Sequence, residues 1–515
     1  MDNLAPVITC ATVVLLASAI ALTGARRGPR RTGARADLED WALADRRHGS
    51  GLVWCLLGGT IYTAYTFTAV PGAVFTSGGI GFYALPYTTV VCAVAFVLLP
   101  RLAATARAHG HITVADFIRV RYGSPLLALA VALTGIFATM PYLALQLLGL
   151  RAVLGVLGLK QDGMAGDLAL TAVFAVLAVS TYRYGLRAPT AVSVVKAVLV
   201  VGSTIALGWL VLSRTGSPAD LFHRAGAALE STGTTSALVP DPALAPAYAS
   251  LAVGSALALF AFPHVLLTAF AARSGDVLRR TSVTLHGWTA MLGAFALFGL
   301  AALAAGVRPP PGRSERAIPL LVLDLAPGWA AGLLLGAFVV AALVPAAVMS
   351  IGAATLFARN VYLEFVNPTA TEAQVTRMAR LMSLVVKIGA LAFALGLHDQ
   401  AAINLHLLGA VWVLQILPAI ALGLLHRAPH RLALLAGWLL GMVAGTALVS
   451  HGGFAPLVRL PFGHIPLYAG VVGLAVNLAA VAVAGPLLDR LGVPRGLAGV
   501  LLPAGAGRGR EAASS

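Results

Sequence analysis

The chain has 515 residues, of which 59% are hydrophobic and 10% charged, with a formal net charge of +16. Soluble domains carry about 25% charged residues, so this sequence has too little polar surface to cover them. A water-soluble enzyme, a disordered chain and a disulfide scaffold are excluded, and an all-α polytopic membrane protein fits.

A spanning helix needs about 20 apolar residues. In chain order, about thirteen stretches read as spans by that criterion, near 5–25, 51–76, 81–100, 125–150, 167–182, 188–213, 247–271, 283–306, 328–357, 379–397, 401–425, 431–450 and 465–488. The first is preceded by MDNLAPV, with Asp2 and no Arg or Lys, and followed by Arg26, Arg27, Arg30 and Arg31. That order predicts an uncleaved span with the N-terminus outside and, after an odd number of spans, the C-terminus in the cytoplasm. Arg and Lys then concentrate on alternate segments: 26–50, 101–124, 183–187, 272–282, 358–378, 426–431 and the tail. The excess charge is therefore a topology signal for a cell (inner) membrane protein, and no nucleic acid is needed to explain it.

The organisation predicted is a first helix and cytoplasmic linker (1–50), a transport core (51–425), two accessory helices (426–490) and a cytoplasmic tail (491–515). Segment 36–50, ADLEDWALADRRHGS, is mixed in charge and is expected along the membrane surface. Two long outer segments, 214–246 and 307–327, are expected to cap an outward vestibule, the second containing a short amphipathic helix (AIPLLVLDLAP). The tail GRGREAASS is expected to be disordered. Cys10, Cys55 and Cys92 all lie in apolar stretches and read as small buried hydrophobes.

The second span reads GLVWCLLGGTIYTAYTFTAVPGAVFTSGGIGFY. Gly58 and Gly59 precede a hydroxyl-rich run of Thr60, Tyr62, Thr63, Tyr65, Thr66 and Thr68, and Val70-Pro71-Gly72 follows. Glycine, proline and hydroxyls at membrane depth predict a broken helix whose freed carbonyls must be met by protein, water or ligand. Secondary transporters build midplane sites from such helices; packing through small residues is the competing reading. The seventh span repeats the theme, with Pro263 removing a backbone donor in mid-span and His264 following it. It lies five spans after the second, where an inverted five-helix repeat puts its counterpart. An ordinary proline kink with His264 satisfied locally is the alternative.

In the ninth span Ala347 and Ser350 share a helix face, and a carbonyl and a hydroxyl there suit a small hard cation. Lys196 sits about 12 Å into the sixth span at 1.5 Å per residue, and Lys387 lies similarly deep in the tenth. A charge at that depth is costly and is a functional candidate by default; snorkelling, or pairing with the carbonyls of a broken helix, is the structural alternative. Tyr142 and Gln146 share a face of the fourth span, and Trp412 and Gln415 lie in the eleventh. Each pair either binds a small polar solute or bonds between helices. HExxH, P-loop and GxSxG motifs are absent, and the 12 His are scattered. No enzyme activity and no cofactor are expected.

Together these segments resemble the sodium:solute symporter family, and within it the bacterial monocarboxylate-permease branch. The resemblance covers roughly residues 40–425 and is carried by TFTAVPGAVFTSGGIGFYALPY, HITVADFIRVRYGS, MPYLALQL, YGLRAPTAVSVVK, GSALALFAFPHVLLTAFAARSGDVLRR, VPAAVMSIGAATLFARNVY and LLGAVWVLQILP. It implies thirteen spans with a five-plus-five inverted-repeat core from the second to the eleventh. It also implies a Na⁺ site between the broken second span and the ninth. The ligands carried over would be the carbonyls of Gly59, Tyr62 and Ala347 and the Ser350 hydroxyl.

Two positions depart from the family pattern: Ile351 stands where a second hydroxyl usually follows, and Ser193 where an acidic residue is often found. These departures prompt the hypothesis that the Lys196 ammonium takes the place of Na⁺, so the coupling ion is left as Na⁺ or H⁺. The resemblance implies a symporter working by alternating access on a small monocarboxylate such as lactate or pyruvate. Tyr62, Thr63, Thr66, Tyr142, Gln146, His264 and Gln415 would line its site. A neutral amino acid remains an alternative solute. A channel and a transport-like sensor remain as other classes, although the short segment after residue 489 is not expected to supply a signalling domain.

Overall fold

The computed structural model describes residues 4–24, 38–158, 164–231, 237–396, 402–424, 429–459 and 465–495. The arginine cluster after the first span, the turn at 426–428 and the GRGREAASS tail lie outside the described residues. Long apolar runs fold as helices because, in lipid, each backbone N–H and C=O must find its partner within the chain.

The chain starts with α1 (Leu4–Gly24), the short α2 (Leu38–Leu43) and α3 (Ser50–Ile61). A π-wound stretch, Tyr65–Ala69, leads into α4 (Val70–Ser77). Next come α5 (Ala84–Ala108), α6 (Val114–Tyr122), α7 (Pro125–Val156), α8 (Met164–Tyr184) and α9 (Arg187–Thr215). The amphipathic α10 (Pro218–Ser231) occupies part of the first long outer segment, followed by α11 (Ala245–Ala261) and α12 (Pro263–Phe270). The remainder is α13 (Gly275–Thr284), α14 (His286–Ala304), α15 (Ala317–Leu325), α16 (Gly328–Phe357), α17 (Glu372–Gly396), α18 (Ala402–Val413), α19 (Leu417–Gly423), α20 (Arg431–His451) and α21 (Ala469–Arg490). Before α21, β1 (Leu457–Arg459) and β2 (Pro466–Tyr468) pair antiparallel, Val458 opposite Leu467.

Among the described residues ten helices are long and apolar enough to cross a membrane, and an eleventh if the bent pair Ser50–Ile61 and Tyr65–Ser77 is one span. The criterion does not reach thirteen. In α8 the qualifying apolar part is the short helix Leu168–Tyr184, and α17 carries Glu372, Arg377, Arg380 and Lys387. Burial sorts the helices into layers. The apolar window of Gly328–Val366 is 100% buried, against 22% for Leu4–Gly24 and for Ala469–Arg490. Thus α16 is the axis of the bundle, while α1 and α21 lie at its rim. Exposed Leu15, Val198, Ile205, Trp209, Ile388 and Val483 are the lipid-facing belt.

The arginine-rich segments converge on one end of the bundle. Arg46 donates to Glu39 at 2.5 Å and to the His111 carbonyl at 2.7 Å. Arg107 reaches the Ala272 carbonyl, and Arg187 pairs with Asp40 and Asp45. Asp116 and Thr113 form a capping box at the start of α6, and Asp116 also accepts from Asn360 at 2.8 Å. The described part of segment 36–50, residues 38–50, packs into the bundle. Leu38, Trp41, Ala42 and Leu43 are buried, and the Trp41 indole donates to the Thr181 carbonyl at 3.2 Å. The Arg187 ion pairs to Asp40 and Asp45 and the Arg46 bond to the His111 carbonyl hold the segment against the bundle.

Candidate functional site

The second span breaks where its glycines and hydroxyls predict. Helix α3 ends at Ile61, and Tyr62 adopts an extended conformation (φ −94°, ψ 97°). The chain then bends by 51°. The Thr66 amide donates to Thr63 at 2.8 Å rather than to Tyr62, so the Tyr62 carbonyl leaves the helical ladder. In α16, Pro345 has no N–H to offer Ala341, four residues earlier, and that carbonyl is freed as well.

Lys196 of α9 fills the space between them. Its Nζ donates to Gly59 O at 2.6 Å, Tyr62 O at 2.7 Å and Ala341 O at 2.8 Å. An ammonium has three N–H donors, and all three are matched. The Phe67 ring lies 5.8 Å from Nζ, and the side chain is completely buried.

The α16 carbonyl bonded to Lys196 belongs to Ala341; the carbonyl of Ala347, expected as a Na⁺ ligand with the Ser350 hydroxyl, accepts from that hydroxyl at 2.8 Å. Ile351 is buried, and the Ser193 hydroxyl turns back to Thr190 O at 2.8 Å. Lys387 is also buried, but it bonds Thr181 Oγ1 and Ser383 O, both at 3.0 Å, which ties α17 to α8.

A second centre lies on the far side of the break. Gln146 of α7 caps it: its Oε1 accepts from the Ala64 amide at 3.0 Å, and its Nε2 donates to Thr63 Oγ1 at 3.3 Å. Helix α7 approaches closely here, since a Cβ on Gly149 would meet Ala64 Cβ at 2.6 Å. Tyr142, one turn before Gln146, lies beside Thr63. Its ring is 4.5 Å from His406 of α18 and 5.4 Å from His264 of α12. The seventh span breaks at Phe262 (φ −63°, ψ 135°). The Phe262 ring lies 5.4 Å from His264 and 6.0 Å from His406. Tyr65 lies 4.8 Å from His406. Both ring nitrogens of His264 and of His406, the Tyr142 hydroxyl and Thr66 Oγ1 are buried and have no hydrogen-bond partner among the described residues. Such groups are normally paired, and His264, His406 and Tyr142 place theirs in one ring cluster.

The structure thus brings Thr63, Tyr142, Gln146 and His264 together around the two breaks, with Thr66 on the same broken span. Tyr62 is divided: its carbonyl serves Lys196, while its hydroxyl bonds Thr289 Oγ1 at 2.7 Å and its ring stacks on Trp288. Gln415 is not brought to the cluster. Its amide bonds Val411 O at 3.0 Å and Gly470 O at 3.4 Å, and Asn477 donates to its carbonyls. Trp412 likewise bonds a neighbouring helix, at Thr446. His406 was missed in the sequence, because a lone histidine in NLHLLGAVW gives no local signal.

Two broken helices meeting at a buried polar centre inside an apolar bundle define a secondary transporter. The chain matches the sodium:solute symporter family over residues 42–445 and belongs to it; it is a multi-pass membrane transporter and not an enzyme. It is 42% identical over 464 residues to a monocarboxylate transport permease protein of Rhizobium johnstonii, covering 89% of this chain and 92% of that one. An uncharacterized symporter of Bacillus subtilis is 31% identical over 492 residues, 94% of each chain. Among solved structures, a Na⁺-coupled sialic acid symporter in a substrate-bound outward-open state aligns with a TM-score of 0.74 at 15% identity, covering 94% of this chain and 98% of that one. That likeness shows the shared fold.

Proposed function

We propose that the protein is a monocarboxylate symporter of the cell membrane in which the Lys196 ammonium stands in the place of Na⁺ and carries the coupling proton. The N-terminus is outside and the arginine-rich end cytoplasmic. The observation that carries this reading is the fully matched ammonium between the carbonyls of Gly59, Tyr62 and Ala341. Two of those oxygens are the ones through which the family resemblance would bind Na⁺. The solute class is supported by the monocarboxylate permease relative.

A positive charge on Lys196 favours an anion at the adjacent break, and by linkage the anion favours the proton. The deciding experiment is uptake of labelled lactate into proteoliposomes under separate pH and Na⁺ gradients. An inward proton gradient is expected to drive accumulation in Na⁺-free buffer. Strict Na⁺ dependence that survives Lys196→Ala overturns the reading.

A further inference from the structure

We infer that His264 and His406 form the pair that grips the solute's carboxylate, an inference that rests on the monocarboxylate reading above. The two histidines are 142 positions apart in sequence, on α12 and α18, yet both imidazoles pack against the rings of Tyr142 and Phe262. Four ring nitrogens are buried there without a partner among the described residues, with the Tyr142 hydroxyl. Leaving one such group unmatched costs about 1–3 kcal/mol. Packing alone would be served as well by phenylalanine or leucine at either position.

A carboxylate is an acceptor-only group with two oxygens. Each imidazole offers an N–H even when neutral, so the pair supplies one donor to each oxygen, and the Tyr142 hydroxyl supplies a third. The remaining ring nitrogens can accept from a hydroxyl on the solute, as in a 2-hydroxy acid. The counter-charge comes from Lys196, bonded to Tyr62 O on the same broken span that carries Tyr65. The Tyr65 ring in turn lies against His406. The recognition is therefore of the carboxylate itself, and an amide, which replaces one acceptor oxygen with a donor, fits it poorly.

The test is counterflow exchange in proteoliposomes holding the full chain, with labelled lactate competed by unlabelled lactate, pyruvate or lactamide. The variants are His264→Gln, His406→Gln, His406→Phe and the double glutamine variant. Their folding is checked by elution profile and by far-ultraviolet circular dichroism. The wild type is expected to prefer lactate over lactamide by tenfold or more. Each glutamine variant should raise the half-saturation for lactate about tenfold, His406→Phe more than that, and the double variant should lose the preference for carboxylate over amide. Folded glutamine variants that exchange lactate with unchanged half-saturation and unchanged preference overturn the histidine assignment and leave the monocarboxylate reading standing. A wild type that exchanges no monocarboxylate overturns both.

Discussion

At the scale of single residues, the notable feature is a lysine placed where a membrane protein should not tolerate one. A buried charge is acceptable when its hydrogen bonds are all met, and Lys196 meets all three at 2.6–2.8 Å. Removing it would leave the carbonyls of Gly59, Tyr62 and Ala341 converging on an empty space. Lys196→Ala is therefore expected to lower stability by about 3 kcal/mol or more, from orphaned acceptors at about 1–3 kcal/mol each. The space left is lined by carbonyl oxygens, the ligand type that hard cations take. Added NaCl should then raise the thermal unfolding midpoint of Lys196→Ala, while choline chloride should not. The wild type, with the ammonium in place, should respond equally to both salts. A variant indifferent to Na⁺ would show that the three carbonyls do not form a cation cage. Lys196 was legible in the sequence because of its depth, but its third acceptor was not. That oxygen is freed at Ala341 by Pro345, and seeing it requires the register of α9 against α16.

At the scale of elements, the linker between α1 and α3 shows how a polar segment can be misread from its own residues. ADLEDWALADRRHGS has the look of a surface strip, yet its partners at Thr181, Arg187 and His111 are distant in sequence and draw it inward. Two histidines are buried in the process. Burial pushes the His48 imidazole down to about 4, helped by the positive charge of Arg187. Burial likewise lowers His111 to about 4, opposed by Asp116 and reinforced by His109, Arg46 and Arg359. Unfolded, both titrate near 6.5. Protons then bind the unfolded chain more readily, so the stability these residues contribute is complete above about pH 6.5 and is lost as the pH falls towards 4. The unfolding midpoint in detergent should be level from pH 8 to 7 and decline below 6.5. His48→Gln combined with His111→Gln should flatten that decline, and an unchanged slope in the double variant would refute the assignment.

At the scale of the whole molecule, much of the fold was readable because each layer has its own signature. Unbroken apolar runs such as α16 are helices, glycine and proline clusters mark the breaks, and arginine-rich loops gather at one end. Of the histidine centre, Tyr142 and His264 were readable, but His406 and the meeting of the three were not, because they come together only in three dimensions. The residues of that centre are completely buried, and a transporter must open one end at a time. The linker at the arginine-rich end is suited to opening. It contains three consecutive non-glycine residues in the left-handed region, Ala44, Asp45 and Arg46 (φ 48°, 58° and 54°), a conformation costing about 1–2 kcal/mol per residue. It is held by the Arg187 ion pairs, by the Trp41 indole on Thr181 and by the His48 amide on Ala271 O at 3.2 Å. Removing the Trp41 side chain should release this clasp and shift the population towards the form open at that end. The reporter is Ala271→Cys, at a position completely buried beneath the linker, in a chain with Cys10, Cys55 and Cys92 replaced by alanine. In inside-out vesicles, labelling by a membrane-impermeant maleimide should rise about tenfold when Trp41→Ala is added, and also with Arg187→Gln, which leaves the tryptophan packing intact. Unchanged labelling in both variants would mean that the linker only caps the bundle and does not gate it.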